Sequence, residues 1–278
     1  MSVTWDSNDP PRRVVPGMGG YVLAVCRALP LALLVFGSLI ILLLIRLVER
    51  PLFGLHRPVT PFLTQFVCRN AFRLLGIRYE TSGRRMHHPG GVVANHSSWL
   101  DIYALNAADR LYFVSKSEVA KWPGIGWLAR ATGTVFIDRD RKQARQQADL
   151  FSARLGAGHK LLFFPEGTST DGRRVLPFRS TLFAAFFDPA LSAQLYVQPV
   201  TVAYYAPVGQ DTRYYGWWGG MDFGSHLIQL LATRPQGRVE VIYHAPLRVA
   251  DYPDRKALAA ACEVIIRDSH AGRIATGT

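Results

Sequence analysis

Cysteine is scarce in this chain of 278 residues, with three in all, at Cys26, Cys68 and Cys262. They lie far apart, form no C-x-x-C pair and have no paired histidines beside them, so neither a disulfide framework nor a zinc site is read from them. So few thiols fit a reducing compartment. Internal repeats and low-complexity linkers are missing. So is a G-x-S-x-G elbow, which removes the local signature of an α/β-hydrolase serine nucleophile. Acidic residues are short against basic ones, 20 against 32, for a formal net charge of +12. A surface so basic suits nucleic acid, anionic lipid or an acidic carrier as its partner.

Apolar residues, by contrast, are plentiful: 49% of the chain is hydrophobic and the mean hydropathy is slightly positive, which points to a membrane-associated part. The run Ala28–Ile45, "ALPLALLVFGSLIILLLI", carries no charge, and its 18 residues reach the lower limit of a bilayer span. Arg27 and Arg46 bracket it. Its length, the lack of a small-residue cleavage site and the adjacent Arg46 argue against a signal peptide. Basic residues crowd the chain after the run, which favours a cytoplasmic location for that side, while Arg12 and Arg13 precede it. A helical hairpin that enters and leaves one leaflet reconciles the two. From Pro61 to Leu75 apolar residues alternate with Arg69, Asn70 and Arg73 as in an amphipathic helix. Such a helix lies in the lipid interface or packs on the domain that follows.

The pattern changes near residue 77. Strand-like segments at 77–83, 90–95, 111–116, 133–139, 159–167, 195–205 and 238–247 are separated by helical ones at 98–108, 118–131, 141–158 and 254–270. The expected fold is α/β: a mixed, largely buried sheet flanked by helices, preceded by an N-terminal membrane helix or helical hairpin. Residues 1–76 form the anchoring segment and 77–278 the α/β domain.

In such a domain function sits where strands end. "NHSSWLD" (Asn95–Asp101) follows one strand. Ser98 with Asp101 three residues on matches a capping box, which accounts for both residues structurally and leaves His96 unexplained. Five residues apart is poor geometry on one helix, but straddling a helix start relaxes it. His96 then becomes a general base and Asp101 the carboxylate that fixes its tautomer. Ser97 or Ser98 as a triad nucleophile is the competing reading. "FIDRDR" (Phe136–Arg141) offers Arg139 and Arg141 to a phosphate, or local ion pairs to Asp138 and Asp140. "FFPEGTST" (Phe163–Thr170) offers exposed amides around Gly167 and the Thr168 hydroxyl to an anion, or is an ordinary turn. Lys116 and Arg179 are further cations at strand ends and loops. His87 and His88 stand in a loop-like stretch without a carboxylate at ligand spacing.

Together these segments resemble the glycerolipid acyltransferase family, of the bacterial 1-acylglycerol-3-phosphate acyltransferase type. Its N-H-x-x-x-x-D motif stands here as "NHSSWLD". G-x-x-F-I-x-R stands as "GTVFIDR", F-P-E-G-T as "FPEGT" (Phe164–Thr168), and the apolar strand with a central proline as "VQPVTV". The resemblance covers roughly residues 77–245. It implies transfer of a fatty acyl group from a thioester, on acyl carrier protein or coenzyme A, to the free hydroxyl of a lysolipid. His96 is then the base and Asp101 its orienter. Arg139, Glu166, Gly167 and Thr168 hold the acceptor head group, with Lys116 and Arg179 lining the site. No cofactor and no metal are expected. The partners are the acyl donor, the lysolipid and membrane lipid, with no nucleic acid, and the setting is the cytoplasmic face of a bacterial inner membrane. Where the family often has Arg-Ser after the third motif, Ser169 and Thr170 stand here. This version resembles the branch that acylates lyso-ornithine lipid, so the acceptor is that lipid, 1-acylglycerol-3-phosphate, or both. A rival from another class is a non-enzymatic basic membrane protein that binds anionic lipid.

Overall fold

The apolar run folds as helix well beyond its uncharged centre. In the computed structural model, which describes residues 4–7, 9, 15–137 and 144–276, a continuous helix covers Met18–Phe53. It comprises α1 (Met18–Ala32), a π-helical turn at Leu33–Gly37, and α2 (Ser38–Phe53). The wide turn follows Pro30, whose ring supplies no N–H to the helix ladder. Only 11% of its most apolar window is buried, so it is not the core helix of a soluble domain. Val22, Leu29, Leu33, Ile40, Leu44 and Leu47 all face outward. Yet the helix is tied to the rest of the chain along its length. Ala24 enters the core, and the Arg27 guanidinium donates to the carbonyls of Leu231 and Thr233. Glu49 accepts from the Val59 and Thr60 amides and the Thr60 hydroxyl.

The amphipathic segment is α3 (Thr60–Leu75). Its Cys68, Ala71, Phe72 and Leu75 are buried, while Phe62 and Phe66 are exposed. Gln65 and Arg69 donate to the carbonyls of Ala108 and Ala107, which stand at a helix end where carbonyls lack intrahelical partners. The helix therefore packs on the domain and still presents an apolar edge. It stops at Gly76, φ +76°, with Ile77 N–H bonding Phe72 O and Gly76 N–H bonding Arg73 O. That is the Schellman pattern, for which glycine has the backbone freedom.

The strands are β1 (Arg78–Gly83), β2 (Gly90–Ala94), β3 (Tyr112–Lys116), β4 (Val135–Ile137), β5 (Lys160–Phe163), β6 (Tyr196–Tyr205), β7 (Arg238–Tyr243) and β8 (Leu247–Arg248). They form one sheet in the order β1-β7-β6-β2-β5-β3-β4, with β8 on β6. β2, β3, β4, β5 and β6 run parallel, and β7 lies antiparallel to β6. Both faces are covered, so the strands read as apolar runs. Val92, Leu162 and Val202 pack toward α1, α3, α4 (Leu100–Ala108) and α7 (Phe223–Ala232). Val93, Phe163 and Val197 pack toward α6 (Ala144–Gly156), the 3-10 turns of Leu182–Phe187 and α8 (Arg255–Thr276).

The sheet is mixed and flanked by helices, as the pattern predicts. The helix expected over 118–131 is divided by Pro123-Gly124 into a 3-10 turn (Ser117–Lys121) and α5 (Ile125–Thr132). α7 is absent from the sequence reading.

Candidate active site

The C-terminal ends of β2 and β5 bring the first and third motifs together. Asn95 extends β2 by one side chain: its amide oxygen accepts from Val202 N–H at 2.8 Å and its amide nitrogen donates to Val202 O at 2.9 Å. This mimics a further rung of the β2–β6 ladder and fixes where the chain leaves the sheet. His96 follows, and its Nδ1 lies 2.8 Å from Asp101 Oδ2. The same oxygen accepts the Ser97 and Ser98 amides at 2.7 and 2.9 Å, and Oδ1 accepts the Tyr204 hydroxyl at 2.8 Å.

Asp101 is fully buried, and such a carboxylate is tolerated only when its lone pairs are filled. Four donors fill them, and its place in the first turn of α4 adds a favourable helix dipole. Acting only as an acceptor, it requires the proton of the imidazole on Nδ1. Nε2 is left with its lone pair and has no hydrogen-bond partner among the described residues. Phe164 stacks on the ring at 4.0 Å, nearly parallel, and holds its plane. The side chain stays 20% exposed, enough to meet a substrate.

The capping box forms only in half. Asp101 reaches back to the Ser98 amide, but the Ser98 hydroxyl is buried with no partner, and α4 starts at Leu100 with no side-chain cap. The reason is competition: Asp101 takes the Ser97 and Ser98 amides, while the Asp101 and Ile102 amides bond the Ser98 and Trp99 carbonyls. Ser97 and Ser98 are both fully buried, which withdraws them as nucleophiles.

Glu166 is turned inward. Its Oε1 accepts the His96 amide at 2.6 Å and its Oε2 the Leu176 amide at 2.7 Å. Burial pushes its carboxyl up to about 8, against the lowering pull of those two bonds, and Asp101 nearby adds to the rise. Its carboxyl group thus clasps the two motif loops to each other, and the Thr170 amide adds a bond to His96 O.

Gly167 has φ +75° and its amide bonds Phe164 O. The exposed Arg179 guanidinium lies over it, about 3.5 Å from where a Cβ would stand. The Thr168 hydroxyl accepts the amide of Trp5, whose ring lies against Trp218 and under Arg174. Lys116 ends β3, in register with Ile137, at the same end of the sheet as His96. Arg139, with Asp138, Asp140 and Arg141, lies outside the described residues.

Tyr204, Phe164 and Asn95 had no role in the sequence reading. Another nearby histidine, His226, is of a different kind. Its Nδ1 accepts from Trp99 Nε1 and its Nε2 faces Tyr214 O, and burial pushes it down to about 4. Both nitrogens are spent on structure, whereas His96 Nε2 has no hydrogen-bond partner among the described residues.

Comparison with known proteins shows which family the chain resembles. Residues 77–203 match the acyltransferase family model. A lyso-ornithine lipid O-acyltransferase of Rhodobacter capsulatus is 54% identical over 263 residues, covering 95% of each chain. A 1-acyl-sn-glycerol-3-phosphate acyltransferase of Neisseria gonorrhoeae is 35% identical over 147 residues, 52% of this chain and 56% of that one. The crystal structure of the 1-acyl-sn-glycerophosphate (LPA) acyltransferase of Thermotoga maritima shares the fold. Its TM-score is 0.65 at 20% identity, over 92% of this chain and 95% of that one. With a histidine held by a buried aspartate at the strand ends, and a relative that matches it almost end to end, this chain belongs to the acyltransferase family.

Proposed function

We propose that this acyltransferase moves a fatty acyl group from a thioester to the free hydroxyl of lyso-ornithine lipid, with His96 as general base. The observation that carries the reading is the His96–Asp101 pair: Nδ1 is fixed on a carboxylate and Nε2 is open toward solvent. In the reaction the acceptor oxygen attacks the thioester carbonyl carbon and Nε2 takes its proton. The carbon–sulfur bond then breaks and the thiol leaves with that proton, restoring the neutral imidazole. Asp101 stabilises the imidazolium in between, and Glu166 acts as a positioning residue through the His96 backbone. Gly167, Thr168, Lys116, Arg179 and Arg139 are the residues proposed for the acceptor head group.

Two observations favour lyso-ornithine lipid. The full-length relative carries that name. And Ser169, Thr170 and Asp171, which follow the third motif, are buried, with Thr170 bound to His96 O and Asp171 to Arg174. They place no cation there for a phosphate monoester. The Neisseria relative and the exposed Arg179 over Gly167 favour 1-acylglycerol-3-phosphate as a second acceptor. The donor is acyl carrier protein or acyl-coenzyme A, and the chain's excess of basic residues suits either polyanion.

Residues 1–76 serve as the anchor at the cytoplasmic face of the inner membrane. The Met18–Phe53 helix is about 54 Å long by its rise per residue, against a hydrocarbon core of about 30 Å. Residues before it, along it and after it all touch the same domain: Trp5 on Thr168, Arg27 on Leu231, Arg57 on Ala131. That favours a helix lying against the domain, with its outer apolar face in lipid, over an independent span.

Membranes holding the protein should acylate lyso-ornithine lipid, and His96→Ala should abolish the activity. Failure on both acceptors with both donors would reject the function, and an active His96→Ala would reject the base.

A further inference from the structure

The N-terminal end of the parallel strands holds a second polar cleft, apart from the His96 site. It is a shallow cleft, partly open to solvent, between the α2–α3 connection, the loop before β3 and the end of α5, and is lined by Arg57, Arg110, Asn106 and Tyr112 together with threonines 60, 64 and 132. Tyr112 starts β3 and His96 lies just beyond the end of β2, so the two sites are separated by the length of the sheet.

The chemistry of the cleft is one-sided. Arg57 gives one bond to Ala131 O, and its guanidinium lies flat on Gly133, the glycine of the second motif. Arg110 lies 4.5 Å above the Phe62 ring. Neither arginine has a carboxylate within ion-pair distance among the described residues. Arg154 lies 5.4 Å from the centre of the Tyr112 ring, bound to Gly133 O and to His159. The carboxylates nearby are engaged: Glu49 by Arg46, Thr60 and the Val59 amide, Asp109 by Lys160 and the Arg110 amide. Burial, then repulsion from Arg46 and Arg154, pushes Arg57 down to about 10, with Tyr112 and Glu49 pulling the other way.

Two neutral side chains line the same cleft. Asn106 is 5% exposed and uses its oxygen on the Leu111 amide, and its NH₂ has no partner among the described residues. Tyr112 is 7% exposed and its hydroxyl likewise has none. Two guanidinium groups, one of them bonded to the Ala131 carbonyl, an amide NH₂ and a phenol line one cleft, a set of donors that matches tetrahedral oxygens. The mouth of the cleft adjoins the exposed apolar residues Phe62, Phe66, Leu55 and Val59.

We propose that this cleft binds a phosphate group, that of an anionic membrane phospholipid whose acyl chains lie along the α2–α3 edge. The site is independent of the catalytic reading.

The test uses the full-length protein in a neutral detergent, titrated with dihexanoyl phosphatidylglycerol and separately with inorganic phosphate, and followed by melting temperature and bound fraction. The lipid should give a saturable rise in melting temperature. Arg110→Gln should raise its apparent Kd at least about tenfold, and Arg57→Gln should do the same. Arg255→Gln removes the same charge from an exposed site on α8 and should leave the Kd within about twofold. Arg57 also holds the Ala131 carbonyl, so Arg110→Gln decides the matter if Arg57→Gln fails to fold. An unchanged Kd in Arg110→Gln, or an equal loss in Arg255→Gln, overturns the site, as does the absence of a response to either probe. Saturation by inorganic phosphate with the same variant pattern keeps the phosphate site but assigns it to the free ion rather than to a lipid.

Discussion

The two ends of the parallel strands are organised by opposite charges. At the C-terminal end two buried acidic side chains, Asp101 and Glu166, engage all four of their oxygens with donors of the protein. At the N-terminal end two arginines and two neutral donors converge with few acceptors. A saturated network has one low-energy arrangement and therefore holds a reacting group still. An unsaturated one is completed by something from outside. Rigidity at one end and open valence at the other are the expected marks of a site that performs chemistry and of a site that binds.

The comparison is broken most severely by removing the group for which the saturated end exists. His96→Ala should cut acyl transfer by on the order of 10⁴-fold, the upper range for a general base, with the fold intact by circular dichroism. A loss under tenfold would end the catalytic assignment. Asp101→Asn should follow with a loss on the order of 10²-fold, because an amide NH₂ cannot accept all the donors now shared by the two oxygens. A matching rate in wild type and variant would reduce Asp101 to a helix-start residue.

Glu166→Gln sharpens the contrast through stability. Below about pH 8 its carboxyl holds a proton, so the Gln amide offers the same pairing of one acceptor and one donor, and the substitution should change stability by less than about 1 kcal/mol in urea unfolding. The pH dependence has a definite sign. Glu166 is held at about 8 in the fold against 4.5 ordinarily, so between those values the native state binds a proton that the unfolded chain has released. Its contribution is present below about 4.5 and is lost as pH rises through about 8. The pH slope of stability over that window should flatten in Glu166→Gln. An equally steep slope would place the titrating group elsewhere.

Ser98→Ala should have the smallest effect. Its hydroxyl is buried without a partner, so its removal should leave stability within about 0.5 kcal/mol or raise it slightly, with acyl transfer within about twofold. A dead enzyme would revive the serine nucleophile.

What the sequence discloses about these two ends depends on how local each is. The His96–Asp101 pair spans five residues, and its role can be read within one motif. Tyr204, which completes Asp101, is 103 positions away, and no spacing rule reaches it; only the position of β6 beside β2 does. "FPEGT" marks a loop but not which way Glu166 faces, since a carboxylate beside a glycine turns as readily outward to a ligand as inward to amides. Ser98 fits a capping box by pattern, and the nearer competition for Asp101 displaces it. The alternation of strands and helices foretells a mixed sheet, while the strand order is set by packing that no segment encodes alone. α7 has a local signature: Asp222 accepts the Ser225 amide at the start of an apolar helical period. The N-terminal cleft had no signature, because Arg57, Asn106, Arg110 and Tyr112 meet only after α3 folds back on α4.

The contact between the Trp5 amide and the Thr168 hydroxyl has a practical side for anyone who produces this protein. A tag or fusion partner joined ahead of Trp5 would be delivered onto the "FPEGT" turn, a few ångströms from where the acceptor is expected. Activities measured on such material would report on the fusion as much as on the enzyme.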